Sequence, residues 1–166
     1  MIVYHPAYDI NHCAFRFISI LRDVEGNEIN WQTLRILDFY FVFPHLLANV
    51  RLPQNIFAGK KALSNIPIPY EALPNPKRLM FELTALHNEV ARALIARRLV
   101  DKELFLKNVI KLNINHVPTT LVDVLAECPQ RKTIWYNLLV NVLALYPVEG
   151  KDGLKHRTNL MEYRYD

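Results

Sequence analysis

Asn30-Trp31-Gln32-Thr33-Leu34-Arg35-Ile36-Leu37-Asp38-Phe39-Tyr40-Phe41-Val42-Phe43-Pro44 is the stretch that decides how this chain folds. Asn30 is a good N-cap, because its side-chain carbonyl can accept one of the free backbone N–H groups at a helix start. Pro44 ends or kinks the helix that Asn30 starts. Between them apolar side chains lie on almost every side and Arg35 and Asp38 are the only charges, whereas a surface helix keeps a polar face. A helix over 31–43 must therefore be buried nearly all round, and a mainly α (α+β) domain has to enclose it. Arg35 and Asp38, at i and i+3, would cost several kcal/mol each if buried unpaired. They pair with each other or with the polar seam of the first helix, or a partner subunit covers them.

Upstream, Tyr4-His5-Pro6-Ala7-Tyr8-Asp9-Ile10-Asn11-His12-Cys13-Ala14-Phe15-Arg16 is too polar for an ordinary core helix. A helix over 7–23 with Pro6 in its first turn puts Asp9, His12 and Arg16 on one stripe, and Ile10, Cys13, Ala14, Phe17 and Leu21 on another. His5, Asp9, His12 and Cys13 are all metal-ligand or nucleophile types, but His12 and Cys13 point about 100° apart on a helix. No CxxC or HExxH spacing supports a metal, and no glycine-rich oxyanion loop supports a cysteine nucleophile. The stripe reads better as a hydrogen-bonded seam with His12 between Asp9 and Arg16, or as a surface from which Arg16 reaches a partner. No catalytic, cofactor or metal residue is assigned.

Downstream, residues 51–75 hold Pro53, Pro67, Pro69 and Pro74 and no sustained period, an irregular connection within one domain spanning 1–166. Asn75-Pro76 starts a helix that runs to about Arg98, with Thr84 a possible break. Asp101 caps a short turn, residues 110–115 alternate as a half-buried strand, and Pro118 and Pro129 open helices over 119–127 and 129–146. Residues 2–4 and 161–166 read as short terminal strands that pair with each other, and Tyr163 and Arg164 are expected to be anchored there or at an interface. Arg92, Arg97, Arg98, Lys102, Lys107 and Lys111 surround a helix-turn-strand unit that suits a winged helix touching phosphates, though such a distribution is more often a solvated face.

Composition sets the outer limits. At 166 residues the chain can bury about two thirds of its unfolded surface. It is 51% hydrophobic and 22% charged, slightly below the usual quarter, which hints at a subunit with a covered face. A net charge of +4 permits contact with nucleic acid or an acidic protein and demands neither. Two cysteines, Cys13 and Cys128, are too few for a disulfide framework. With no signal peptide and no apolar run near 20 residues, a cytoplasmic protein is expected. No GxxxxGK[ST] or GxGxxG is present, so no nucleotide-phosphate cradle is expected.

The opening run, together with Leu34 to Pro44, resembles the small middle components of bacterial three-component ABC ATPase conflict systems, a group overlapping Lamassu-type anti-phage defence. Weaker likeness extends through Asn75-Pro76-Lys77-Arg78-Leu79, Ala93 to Asp101, and the ending Leu154 to Asp166. The resemblance implies a non-catalytic, winged-helix-related subunit that docks on an SMC-like ABC ATPase and couples it to an effector, commonly a nuclease. On that reading His5, Asp9, His12, Arg16, Arg35, Asp38, Tyr163 and Arg164 are candidate partner contacts, and the basic set is a candidate nucleic-acid contact. A stand-alone winged-helix DNA-binding regulator is the first alternative, and a small metal- or cysteine-dependent enzyme the second.

Overall fold

The helix expected around Leu34 to Phe43 forms as α2 (Trp31–Val42), capped by the Asn30 side chain accepting from Gln32 N–H, 2.8 Å, and followed by a 3-10 turn at Pro44–Asn49. The computed structural model in which it is seen describes residues 5–53, 56, 60–71 and 73–161. α2 packs against α1 (Ile10–Asp23) and α4 (Pro76–Ala96), which also pack against each other, while α7 (Ile134–Asn141) closes a further side. Leu34, Ile36, Leu37 and Phe39 of α2 are completely buried. They join Phe17, Ile20 and Leu21 of α1, Leu83 and Leu94 of α4 and Leu139 of α7 in one contiguous apolar cluster. The protein is mainly helical, with a small antiparallel sheet.

α1 is shorter than the 7–23 expected. Pro6–Tyr8 make a separate 3-10 turn, with His5 Nδ1 accepting from Ala7 N–H, and extended Asp9 interrupts the chain before α1. The cause is local: the Asp9 carboxylate accepts from His12 N–H, 2.8 Å, so Asp9 is the N-cap of α1 rather than a member of its stripe. α4 runs unbroken through Thr84, whose hydroxyl donates back to Met80 O within the turn.

The sheet lies elsewhere than predicted. β1 (Glu28–Asn30) follows a turn in which Gly26 and Asn27 both have positive φ, 67° and 56°, a conformation glycine and asparagine accept most readily. It pairs antiparallel with β2 (Val109–Lys111), Glu28 opposite Lys111 and Asn30 opposite Val109. On its other side the β2 segment meets residues 99–101 through a bridge between Val100 and Leu112. The strand expected over 110–115 thus starts one residue earlier and ends sooner, because Ile114–His116 tighten into a 3-10 turn. Between Val100 and β2 the chain makes a short excursion, residues 101–108, containing the single turn α5 (Lys102–Phe105).

The expected terminal strands, 2–4 and 161–166, lie outside the described residues except for Met161, which is in a bend. Among the described residues of the connection over 51–75, Lys60–Leu63 form one helical turn, numbered α3. α6 (Thr119–Ala126) forms as expected. The helix expected over 129–146 divides into a 3-10 turn at Pro129–Lys132, α7, and a 3-10 turn at Leu143–Leu145, because the Thr133 hydroxyl caps a new helix start and Val142 leaves helical backbone angles. A last short helix, α8 (Leu154–Thr158), lies against Arg51. No helix among the described residues is long and apolar enough to cross a membrane.

Candidate functional site

Two polar features stand out from the apolar core, one behind the other. Deepest is a chain of buried charged and polar groups where α1, α2 and α4 meet. Arg16 of α1 grips Asp38 of α2 with two hydrogen bonds, Nε to Oδ1 at 2.6 Å and Nη2 to Oδ2 at 3.0 Å, the side-by-side geometry that suits guanidinium and carboxylate best. His87 of α4 places Nε2 3.0 Å from Asp38 Oδ2, and Arg35 donates from Nε to His87 Nδ1 at 3.4 Å and from Nη2 to Thr84 Oγ1 at 2.7 Å. Because Arg35 can only donate, Nδ1 accepts and the imidazole proton belongs on Nε2, facing Asp38. Asp38 and His87 are fully buried and Arg16 is 5% exposed.

The electrostatics reflect that arrangement. Burial would push the Asp38 carboxyl up, but the Arg16 charge, reinforced by hydrogen bonds from His87 and Arg16, outweighs it and holds the group below the ordinary carboxylate value. Cys13 packs beside them. Burial pushes its thiol up, with the Asp38 charge adding to the rise, so it stays protonated at neutral pH. Cys13, Asp38 and His87 bring one potential ligand atom each to within 4.8 Å of one another. The donor set is poor for a cation all the same: both Asp38 oxygens are taken by Arg16 and His87, and the thiol is in its non-ligating form.

In front of this network lies an open groove of about 690 Å³ between the start of α1 and the end of α2. His5, Asn11, His12 and Arg16 supply its polar side, Phe15, Phe41 and Val42 its apolar side, and Gln130 reaches in from the 3-10 turn before α7. Arg16 belongs to both features: it pairs inward with Asp38 while Nη1 donates to Pro6 O, 3.3 Å, at the edge of the groove. A cleft with an apolar wall and a few convergent polar groups has the general make-up of a binding site.

A model of the family described as "ABC-three component (ABC-3C) system Middle Component 5" matches residues 2–166. The chain belongs to that family. No curated protein and no solved structure matches it. For this Middle Component 5 chain, a subunit of a multi-component ABC system, partner subunits are implied.

The expected contact residues of the Middle Component 5 chain separate into layers. His5, His12 and Arg16 line one groove, Asp9 caps the helix beside them, and Asp38 and Arg35 stand behind its floor. Tyr163 and Arg164 lie outside the described residues. Of the alternatives for Arg35 and Asp38, pairing with the first helix holds for Asp38, which binds Arg16 of α1 and also His87 of α4, while Arg35 turns to His87 and Thr84 of α4 instead of to Asp38. Of the seam drawn between Asp9, His12 and Arg16, Asp9 caps the helix through His12 N–H and its charge acts on Arg16, whose guanidinium is gripped across helices by Asp38. Reading the sequence missed His87, whose partner lies 49 residues away. It also missed Phe15 and Phe41, whose only trace is apolar side chains in excess of what one buried face needs, and Gln130, which left no signal. The basic set sits at the far end of α4 and around residues 101–108, with Arg92, Arg97, Arg98, Lys102 and Lys107 exposed and Lys111 paired with Glu28, 2.9 Å.

Proposed function

We propose that this protein is a non-catalytic adaptor that docks on an SMC-like ABC ATPase subunit and couples it to an effector, commonly a nuclease, in an anti-phage defence complex of the Lamassu type acting in the cytoplasm. The observation that carries the reading is the family match over residues 2–166, which makes the chain a middle component of an ABC-three component system. The groove of His5, His12, Phe15 and Phe41 is the docking element: its donors and its apolar wall suit a partner segment with a polar or acidic group beside an aromatic or aliphatic one. The network behind it keeps the floor rigid, so that the surface is preformed.

We further propose a winged-helix arrangement within the fold. Its support is the order α1, β1, α2, α4, residues 99–101, excursion, β2, with β2 between the other two strand segments. Residues 51–75 are then an insertion ahead of the third helix.

Co-expression with the products of the adjacent genes tests the adaptor reading. A stable complex containing the ATPase is expected, and His12→Ala with Phe15→Ala should weaken it while the chain stays folded, with only the modest loss of melting temperature that truncating half-buried Phe15 brings. Absence of any complex, or full assembly of the double variant, would overturn the reading or its docking site respectively.

A further inference from the structure

We infer that the end of α4 and the excursion over residues 101–108 form a surface that binds the backbone of duplex DNA, with Leu106 as an apolar wedge. The first observation is at Arg98. It is the residue that leaves α4, and its φ of 59° is the left-handed conformation that usually selects glycine at a helix end. Its carbonyl is held from two directions, by Asn113 Nδ2 at 2.9 Å and His116 Nδ1 at 3.1 Å. The chain therefore keeps a β-carbon where glycine would be easier and clamps the backbone around it, leaving the guanidinium exposed beside Arg97. Strain retained at a clamped, solvent-facing arginine points to a use for its charge.

The second observation is independent of the first. Leu106 is 72% exposed on the excursion, followed by Lys107 and by Asn108 with φ of 64°, while Lys102 lies exposed one helical turn before it. Of the two acids in this stretch, Asp101 is occupied as the N-cap of α5, accepting from Leu104 N–H at 2.8 Å, and Glu103 stands alone against Arg97, Arg98, Lys102 and Lys107. A large aliphatic side chain projecting among cations is the combination that enters a DNA groove while its neighbours neutralise phosphates.

The test is binding of a fluorescein-labelled duplex of about 20 base pairs by the full chain, followed by anisotropy from 50 to 200 mM KCl, with dissociation constants in the range of about 1–100 µM at low salt. Arg98→Gly should melt at the same or a higher temperature, since glycine relieves the left-handed backbone, yet lose affinity and reduce the slope of log K against log salt by about one. Leu106→Ala should lower affinity by about fivefold or more at every salt concentration without changing the slope, because an apolar contact releases no counterions. Lys132→Ala, exposed on the 3-10 turn before α7, should bind as the parent does. No binding up to about 100 µM at 50 mM salt, Arg98→Gly binding like the parent, or equal retention of poly-glutamate at matched charge would each overturn the inference.

Discussion

Asp38 has no water contact, yet it carries a full negative charge, and two side chains from two other helices, Arg16 of α1 and His87 of α4, account for that. Removing it alone should be costly: Asp38→Ala strands the Arg16 guanidinium in the core and is expected to destabilise the chain by about 3–5 kcal/mol in urea unfolding. Replacing both partners, Arg16→Met with Asp38→Leu, removes the stranded charge and should recover most of that loss. The same pair sets an acid limit. The Asp38 carboxyl is held below its ordinary value of 3.8 in the fold, so its contribution is fully present above that pH and drains away as pH falls through the lower folded value. The parent should lose stability steeply below about pH 4, and the Met/Leu double variant should show a shallower loss over the same window; identical acid profiles would show that another carboxylate governs the transition. Half of this was legible in the sequence. A charge inside an all-round apolar helix has to find a partner, and the first helix offered Arg16. That His87 completes the set was not legible, because an isolated histidine among apolar residues at 83–90 has the same pattern whether it faces a carboxylate or solvent.

Helix starts explain which elements were readable and which were not. Asn30, Asn75 and Asp101 each cap the helix that comes after them, as their sequence contexts announce. Asp9 and Thr133 also cap, but each lies inside a stretch that periodicity presents as one longer helix, and a side-chain oxygen accepting a single backbone N–H is enough to end one segment and begin another. β1 is three residues long and gains its stability from pairing with a strand some 80 positions later, which no local pattern records. At this scale the C-terminal half is attached to α1 by a second polar cluster. Arg131 binds both oxygens of Asp23 at 2.7 Å, and Tyr136 donates to Asp23 Oδ2 at 2.8 Å while meeting Ser19 at 3.0 Å. Tyr136→Phe deletes the hydroxyl from a site 2% exposed and is expected to cost about 1 kcal/mol, more if Ser19 is left without a partner. Hydrogen exchange should place the extra opening in α7 while α1 and α4 keep their protection. Gly153 marks a tighter constraint: a β-carbon there would lie 2.2 Å from the Glu149 carbonyl oxygen, so Gly153→Ala should lower the melting temperature and loosen α8.

For the whole molecule, the question is whether the part built on α1, α2 and α4 and the part built on α6 and α7 unfold together. The apolar cluster runs without interruption from Ala7 to Leu160, and the Asp23 clamp ties the two parts on their polar side, which argues for one cooperative transition. The two tryptophans are placed to report it. Trp31 packs edge-on against Phe17 and Phe105 beside the small sheet, and Trp135 packs edge-on against Phe41 and Tyr136 at the far side of α2. Single-tryptophan variants Trp31→Phe and Trp135→Phe should therefore give fluorescence midpoints that, after allowance for each variant's own stability, coincide with the loss of helical circular dichroism. In the background of Arg131→Ala the charged part of the clamp is gone, and the hydrogen bonds of Tyr136 and Arg22 with the apolar cluster are left to join the parts. The Trp135 signal should then move to lower denaturant ahead of the Trp31 signal. If the two signals separate already in the parent clamp, the C-terminal part is an independently folding unit, and the groove with Gln130 on its rim is assembled from two bodies rather than preformed in one.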